Sequence, residues 1–227
     1  MTLDEPRRRA YLEAMGIDVW LPAGAAVDAV PDDRVPDAEA TEGLDWEALA
    51  ACVAGCTRCP LHRERTQTVF GVGDRQASWM LVGEAPGMEE DRRGEPFVGR
   101  AGKLLDEMLR AAGLSREQVY IANTVKCRPP GNRNPEPGEL AACRGYLDRQ
   151  LELVNPDIIL AVGKVAAHAL LGSDAPVGRL RGRPHRYGDV PLVVTYHPAY
   201  LLRSPTQKRL VWEDLCLARG LAAERTA

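Results

Sequence analysis

Between residues 79 and 223, short apolar runs of strand length alternate with longer segments whose apolar residues recur at helical spacing. The predicted strands are Trp79–Gly83, Val119–Asn123, Asp157–Val162 and Leu192–Tyr196. The predicted helices are Arg100–Ala112, Pro137–Val154, Lys164–Leu171 and Pro205–Ala223. Alternation of this kind favours a parallel sheet that is covered by helices on both faces. We therefore predict an α/β fold, a three-layer sandwich with a central four-stranded parallel sheet flanked by helices.

Polar or glycine-rich segments follow every one of these strands. GEAPG (83–87) follows the first strand, Asn123 ends the second, Gly163 and Lys164 follow the third, and His197 follows the fourth. In open parallel sheets, ligands bind beyond the carboxyl ends of the strands. We therefore expect these segments to meet in one site.

Composition limits the classes of function. The net charge is -3, with Lys+Arg 29 against Asp+Glu 32, so overall basicity cannot drive nucleic-acid binding and any such contact needs a local basic face. The arginines of Arg92–Arg93, Arg179–Arg183 and Arg203–Arg209 could form one, or could simply be solvated. We see neither a signal peptide nor the roughly 20 consecutive apolar residues of a membrane span, and expect a cytoplasmic protein without a membrane partner.

Six cysteines in a reducing compartment favour metal binding or catalysis over disulfides. Cys56 and Cys59 form a C-x2-C pair, and Cys127 and Cys143 follow at a distance along the chain. Four thiolates of this kind can hold either an iron–sulfur cluster or a zinc ion. The residues alone leave both open.

Three side chains near the predicted strand ends suit recognition of a flat polar ring. Phe97, in a loop before a helix, could stack on such a ring or could plug the core. Asn123 could cap a turn, but its amide offers a donor and an acceptor that match one edge of uracil and mismatch cytosine. His197 could be structural, or its ring N–H could face a carbonyl that gains negative charge as a glycosidic bond breaks.

Longer motifs connect these residues to a known family. CTRCPL (56–61), GEAPG followed by EED, GEPFVGRAGKLLD (94–106), NTVKCRPPGNRNPEP (123–137) and HPAYLL (197–202) resemble the motifs of family 4 uracil-DNA glycosylases. The resemblance runs from about Cys56 to Trp212. It implies an enzyme that flips uracil out of DNA and hydrolyses the N-glycosidic bond, starting base excision repair.

The resemblance also implies roles for individual residues. Cys56, Cys59, Cys127 and Cys143 would ligate a 4Fe-4S cluster. Phe97 would stack on uracil, Asn123 would bind its Watson–Crick edge, His197 would contact its O2, and Gly83, Ala85 and Asn132 would line the same pocket. Glu84 would handle the attacking water. Leu201, Leu202 or Arg203 would fill the space that the flipped base leaves in the DNA.

Alternatives remain at this stage. Better-known uracil glycosylases carry a water-positioning Asp where this chain has Ala85, so Glu84 is our first choice for that task, with Glu90 and Asp91 behind it. A related branch traps uracil through a histidine, but RPPGNRNPEP (128–137) has none. The other functions to consider are a non-catalytic or covalent-trapping iron–sulfur protein that binds uracil-DNA, and a metal-dependent hydrolase that uses Glu89, Glu90 and Asp91.

The N-terminal segment lies outside this resemblance. We predict a short basic peptide over 1–21, a disordered linker over 22–43 that is rich in Ala, Pro and Asp, and a globular domain over 44–227. RRRAYLEAMGIDVW (7–20) resembles the peptide by which the psi subunit of DNA polymerase III docks on the chi subunit. That resemblance implies chi as a partner, and the alternative is a tail that folds back on its own domain. Separately, we expect the enzyme to be a monomer.

Overall fold

The computed structural model of the chain describes residues 41–226, so the predicted peptide 1–21 and most of the predicted linker lie outside the described residues. The strands are β1 (Val72–Gly73), β2 (Trp79–Gly83), β3 (Val119–Asn123), β4 (Ile158–Val162), β5 (Pro184–Tyr187) and β6 (Val190–Thr195). The α-helices are α1 (Trp46–Ala54), α2 (Met88–Arg93), α3 (Arg100–Ala111), α4 (Pro137–Val154), α5 (Lys164–Leu171), α6 (Val177–Leu180), α7 (Pro198–Arg203) and α8 (Lys208–Thr226). Short 3₁₀ turns lie at Pro60–Arg63, Arg116–Gln118, Pro130–Asn132 and Pro205–Gln207.

The described residues form one mixed sheet of six strands, in the order β1-β3-β2-β4-β6-β5. The four central strands run parallel, as predicted. The prediction of a four-stranded sheet missed two edge strands, because β1 has only two residues and β5 is polar and partly exposed. Both edge strands pair antiparallel with their neighbours, and Gly188, at φ +54, lies in the two-residue turn between β5 and β6.

The parallel strands are buried on both faces, which explains their continuous apolar runs. Alternate residues point to opposite sides, so Leu81 and Ile121 pack against α3 and α8 while Met80 and Tyr120 pack against α4 and α5. The sandwich therefore has the three layers that the sequence predicted.

A third apolar cluster joins α1 to the segment that follows β3. Asp45 caps α1 by accepting a hydrogen bond from the Ala48 N–H at 2.9 Å, and Leu49 and Val53 of that helix are fully buried. They form one cluster with Val125, Cys127 and Cys143, and Cys56 and Cys59 pack against that cluster. None of the helices in the described residues has the length and apolar character needed to cross a bilayer.

Candidate functional site

A cleft of about 710 Å³ opens at the carboxyl ends of the central strands. Its lining combines segments that are far apart along the chain, as expected from parallel strands ending at one edge. The predicted site residues on its wall are Glu84, Ala85, Phe97, Asn123, Asn132, His197 and Arg203. The aromatic ring, the amide and the imidazole thus face one cavity.

Gly83 ends β2 beside Asn123 of β3; it is buried and is not itself among the residues that line the cleft. A Cβ atom there would collide with Asn123 Oδ1 and would lie 2.6 Å from Cζ of the Phe97 ring. Only hydrogen fits at this position. The absence of a side chain on Gly83 therefore lets the Asn123 amide and the Phe97 ring approach each other.

Phe97 has a backbone conformation that non-glycine residues seldom adopt, with φ 55. Arg116 holds it there by donating hydrogen bonds to the carbonyl oxygens of Pro96 and, at 3.2 Å, of Phe97. Gly102, in the first turn of α3, lies directly against the Phe97 carbonyl and has no room for a Cβ. Strain of this kind persists only where the surroundings impose it, and it clusters at functional sites.

We expect Gly102→Ala to push the Phe97 loop out of place. The added methyl group would overlap the Phe97 carbonyl, and overpacking of this kind costs about 1–3 kcal/mol. Thermal unfolding should show the lower stability. Gly138→Ala in α4 is the matched control because no atom lies within 4 Å of its Cβ position, and it should be neutral or slightly stabilising. Equal melting temperatures for the two variants would contradict the close approach.

Asn123 is 2% exposed, and its Oδ1 is the only buried side-chain oxygen or nitrogen without a hydrogen-bond partner in the described residues. Native structures seldom leave such an atom unpaired, so an orphan on the wall of a cleft indicates a missing ligand. The partner that would satisfy it is a hydrogen-bond donor, such as an N–H group on the edge of a base.

His197 ends the loop after β6 and caps α7. Its Nδ1 accepts a hydrogen bond from the Ala199 N–H at 3.1 Å, so the ring proton lies on Nε2 in the neutral form. Burial lowers the pKa of His197 to about 4; the nearby Arg203 also lowers it, while Glu90 opposes the shift. The ring stacks near Phe97, with 5.5 Å between centroids. His197 is therefore a neutral donor at neutral pH.

Glu84 lines the cleft half-buried, and burial raises the pKa of its carboxyl above the ordinary value of 4.5. The two other carboxylates considered for the attacking water have different partners. Glu90 accepts hydrogen bonds from the N–H groups of Gly87, Val98 and Gly99, which braces the Phe97 loop.

Asp91 is buried and accepts a hydrogen bond from the Thr66 N–H. Glu89 forms an ion pair with Arg92, so its carboxylate is not directed to a common site with those of Glu90 and Asp91. The three carboxylates of the alternative metal-dependent hydrolase therefore do not converge, and neither Glu90 nor Asp91 has a carboxylate free of main-chain partners. Glu84 is the candidate that the geometry leaves.

The predicted DNA-contacting residues divide by exposure. Leu201, which we predicted to contact DNA, is fully buried in the apolar cluster with α3 and α8 and is not exposed for that contact in this structure. The motif showed that the segment matters, but a six-residue helix must turn one face inward. Leu202 is 40% exposed and Arg203 is also exposed. Asn132 has φ 56, and its Oδ1 accepts a hydrogen bond from Arg128 Nε at 2.7 Å.

A second, small cavity is lined by Cys56, Cys59, Cys127 and Cys143. The Lys126 N–H donates a hydrogen bond to Cys143 Sγ at 3.3 Å, and Arg65 Nη1 donates one to Cys127 Sγ at 3.1 Å. Burial raises the pKa of the Cys127 thiol and raises that of Cys143 to about 12. Within residues 41–226, no group of three or more His, Cys, Asp or Glu side chains is placed to hold a metal ion.

Sequence reasoning missed the residues that hold this site together. Arg116 lies 19 residues after Phe97 and shows no motif of its own. Arg65 lies 62 residues before Cys127, and only the fold reveals that it contacts the thiol. Glu90 was noticed for its charge, whereas its function in the structure is to accept main-chain hydrogen bonds.

Comparison with known proteins agrees with the motifs. The family model of the uracil DNA glycosylase superfamily matches residues 70–216. A type-4 uracil-DNA glycosylase of Thermotoga maritima is 47% identical over 178 residues, covering 77% of this chain and 93% of the relative. One from Archaeoglobus fulgidus is 45% identical, covering 67% and 81%. A type-5 uracil-DNA glycosylase of Thermus thermophilus is 31% identical, covering 81% and 99%.

Proposed function

The chain belongs to the uracil DNA glycosylase superfamily, and on that premise we propose that it excises uracil from DNA and so starts base excision repair. The observation that carries this proposal is the unpartnered Oδ1 of Asn123, buried in a cleft that also contains the Phe97 and His197 rings. The higher identity to type-4 than to type-5 relatives favours the type-4 activity.

Recognition follows from the Asn123 amide. Its Oδ1 would accept a hydrogen bond from uracil N3–H, and its Nδ2 would donate one to uracil O4. Cytosine presents an acceptor at N3 and a donor at N4, so both contacts would fail and would leave buried polar groups unpaired. The Phe97 ring would stack on the extruded base, which must leave the duplex to reach this cleft.

Bond cleavage needs a donor at the leaving base. As the bond between C1′ and N1 breaks, its electron pair moves to uracil and negative charge builds on O2. The Nε2–H of neutral His197 would donate to that oxygen, and a fixed donor in a buried cleft stabilises charge strongly. This hydrogen bond accelerates the reaction because it is stronger in the transition state than in the bound substrate.

Water completes the hydrolysis at C1′. We assign Glu84 to orient the attacking water and to accept its proton, because Glu84 is the cleft carboxylate that is not tied to main-chain N–H groups. The carboxyl must be ionised for this task.

The rate should therefore fall with acid as Glu84 protonates, at a pH above the ordinary carboxyl range near 4.5, since its pKa is raised. His197 titrates lower, at about 4, and does not set this limb. We expect Glu84→Gln to be slow at every pH and to lack the acid limb. Single-turnover rates measured across the pH range test this. If the rate of Glu84→Gln still fell with acid as in the wild type, another group would have to orient the attacking water.

For the cysteine cavity we propose a 4Fe-4S cluster held by Cys56, Cys59, Cys127 and Cys143, with zinc as the alternative. The four thiols are not arranged to hold an ion in the described structure, but they line one cavity and their soft thiolate chemistry suits such a cluster. N–H donors to two of the sulfurs are the kind of hydrogen bond that iron–sulfur sites use. When bound, the cluster would cross-link the segment after α1, the segment after β3 and α4, and its role would be structural.

Loss of one buried ligand should remove the cluster and lower stability. Cys143→Ala is expected to lose the brown colour and about four iron atoms per chain, with a lower melting temperature. Cys216→Ala is the matched control because Cys216 is exposed and does not line the cavity. Iron, sulfide and zinc analyses of the wild-type protein after anaerobic purification distinguish a cluster from a zinc ion. A colourless protein with one zinc ion per chain would contradict the cluster and support the zinc alternative.

We further propose that Leu202 and Arg203 contact DNA beside the cleft, and that a monomeric enzyme works in the cytoplasm on chromosomal DNA.

The segment 7–20 lies outside the described residues, and we propose that it docks on the chi subunit of DNA polymerase III. A peptide of residues 1–22 should capture chi, and Trp20→Ala should abolish capture. Absence of binding at micromolar concentration would overturn the docking.

The activity itself is tested with purified protein and a labelled oligonucleotide that contains a single uracil. We expect strand cleavage only after alkali, which indicates an abasic site left by a monofunctional glycosylase. An oligonucleotide with thymine at the same position should stay intact. Absence of alkali-sensitive sites after prolonged incubation would refute the proposed function.

A further inference from the structure

Lys126 is a buried cation that the proposed chemistry does not use. Its side chain is 1% exposed, and it lies between the base-binding cleft and the cysteine cavity. Burying an ammonium group costs free energy that an apolar side chain of the same length would avoid. A side chain of this kind calls for a specific task.

The ammonium group contacts the residue that would recognise the base. Lys126 Nζ donates a hydrogen bond to the main-chain carbonyl of Asn123 at 2.9 Å. The N–H at the other end of the same peptide group, that of Thr124, donates to the Gly83 carbonyl at 2.9 Å. Because the peptide group is held at both ends, the direction in which the Asn123 side chain leaves the main chain is fixed.

A glutamine completes this arrangement. Lys126 Nζ also donates to Gln150 Oε1 at 2.5 Å. Gln150 is fully buried, and its Nε2 donates to the Phe70 carbonyl at 2.9 Å and to the Tyr120 hydroxyl at 3.1 Å. With Nε2 occupied in this way, Oε1 must face Lys126.

The same helix reaches the cysteine cavity. Gln150 and Cys143 are both on α4, seven residues or about two turns apart, and so lie on one face of it. Cys143 Sγ accepts from the Lys126 N–H, while Gln150 accepts from the Lys126 side chain. One face of α4 therefore holds Lys126 at both its main chain and its side chain.

We propose that Lys126 is a positioning residue for base recognition, which aims the Asn123 amide into the cleft and connects it through α4 to the cysteine cavity. This inference rests on the proposed uracil-DNA glycosylase function. Lys126 touches neither the base nor the reacting atoms. Its effect on catalysis passes through Asn123.

Lys126→Met retains the length of the side chain and removes its donors. We expect the turnover rate to fall about ten- to a hundredfold, since small misplacements near the chemistry cost rates of that order. The inhibition constant of free uracil should rise by a similar factor, because free uracil binds through the Asn123 amide without contacts from the rest of the DNA. KM for DNA should change less than about twofold. Lys103→Met, an exposed lysine on α3, should match the wild type in all three.

A double-mutant cycle separates positioning from loss of stability. If Lys126 acts through Asn123, adding Lys126→Met to Asn123→Ala should lower the rate by no more than about twofold, since coupled residues are not additive. A full multiplication of the two losses would overturn the inference. So would uracil inhibition as strong as that of the wild type in folded Lys126→Met.

Thermal unfolding is recorded for every variant. Should Lys126→Met fail to fold, Gln150→Met removes one of the two acceptors and should weaken uracil inhibition in the same direction by less; unchanged inhibition would again overturn the inference. An inactive wild type would instead refute the uracil-DNA glycosylase function, and the inference with it. An active wild type with additive losses refutes the positioning role alone.

Discussion

Asn123→Asp is expected to lower uracil excision by about a thousandfold or more, because a site built around hydrogen bonds rejects a mismatched partner by factors of that size. The carboxylate would put an acceptor opposite uracil O4, which is also an acceptor, in a position that is 2% exposed. Cytosine N4 offers a donor that one carboxylate oxygen can accept, and a proton shared between the other oxygen and cytosine N3 would complete the pair. The preference for uracil over cytosine should therefore fall.

Single-turnover cleavage of matched uracil and cytosine oligonucleotides measures both changes. Asn155→Asp makes the same chemical substitution at an exposed position at the end of α4, and it should leave excision unchanged. Uracil excision by Asn123→Asp within about tenfold of the wild type would show that the unpaired Oδ1 does not read the base.

His197→Ala is expected to reduce the turnover rate by about a hundredfold or more, the usual cost of removing one donor from a developing oxyanion. KM should change little, since the donor acts mainly in the transition state. The loss should be equal at pH 6 and pH 8, because burial puts the pKa of His197 at about 4 and the ring is neutral at both. Rate measurements at the two pH values test the protonation state directly.

Two further variants separate the donor from the ring. His197→Phe keeps a flat ring beside Phe97 and removes the donor, so it should be as slow as His197→Ala. His197→Gln keeps an N–H donor of similar reach and should recover part of the rate. All three lose or alter the cap on Ala199, so their melting temperatures must be compared. Near-normal cleavage by His197→Phe would rule out the donor role.

Local patterns predicted the central sheet well because each central strand is buried on both faces and has a continuous apolar run. Strand β2 and strand β3 have the predicted bounds, and β4 and β6 differ by one or two residues at their ends. The edge strands have no such run, so nothing in their sequence separates them from loops. The prediction of one shared cleft followed from parallel strand direction and needed no side-chain detail.

The amino-acid sequence by itself determined the layers, the edge of the sheet where the site lies and the family, because apolar period and motif spacing are local properties. Tertiary structure alone decided that Leu201 faces the core, that Glu90 and Asp91 bind main-chain N–H groups, and that His197 is neutral. Burial and hydrogen-bond partners depend on residues that are distant along the chain. The exposure of a site side chain and its protonation state can therefore be assigned only from the folded structure.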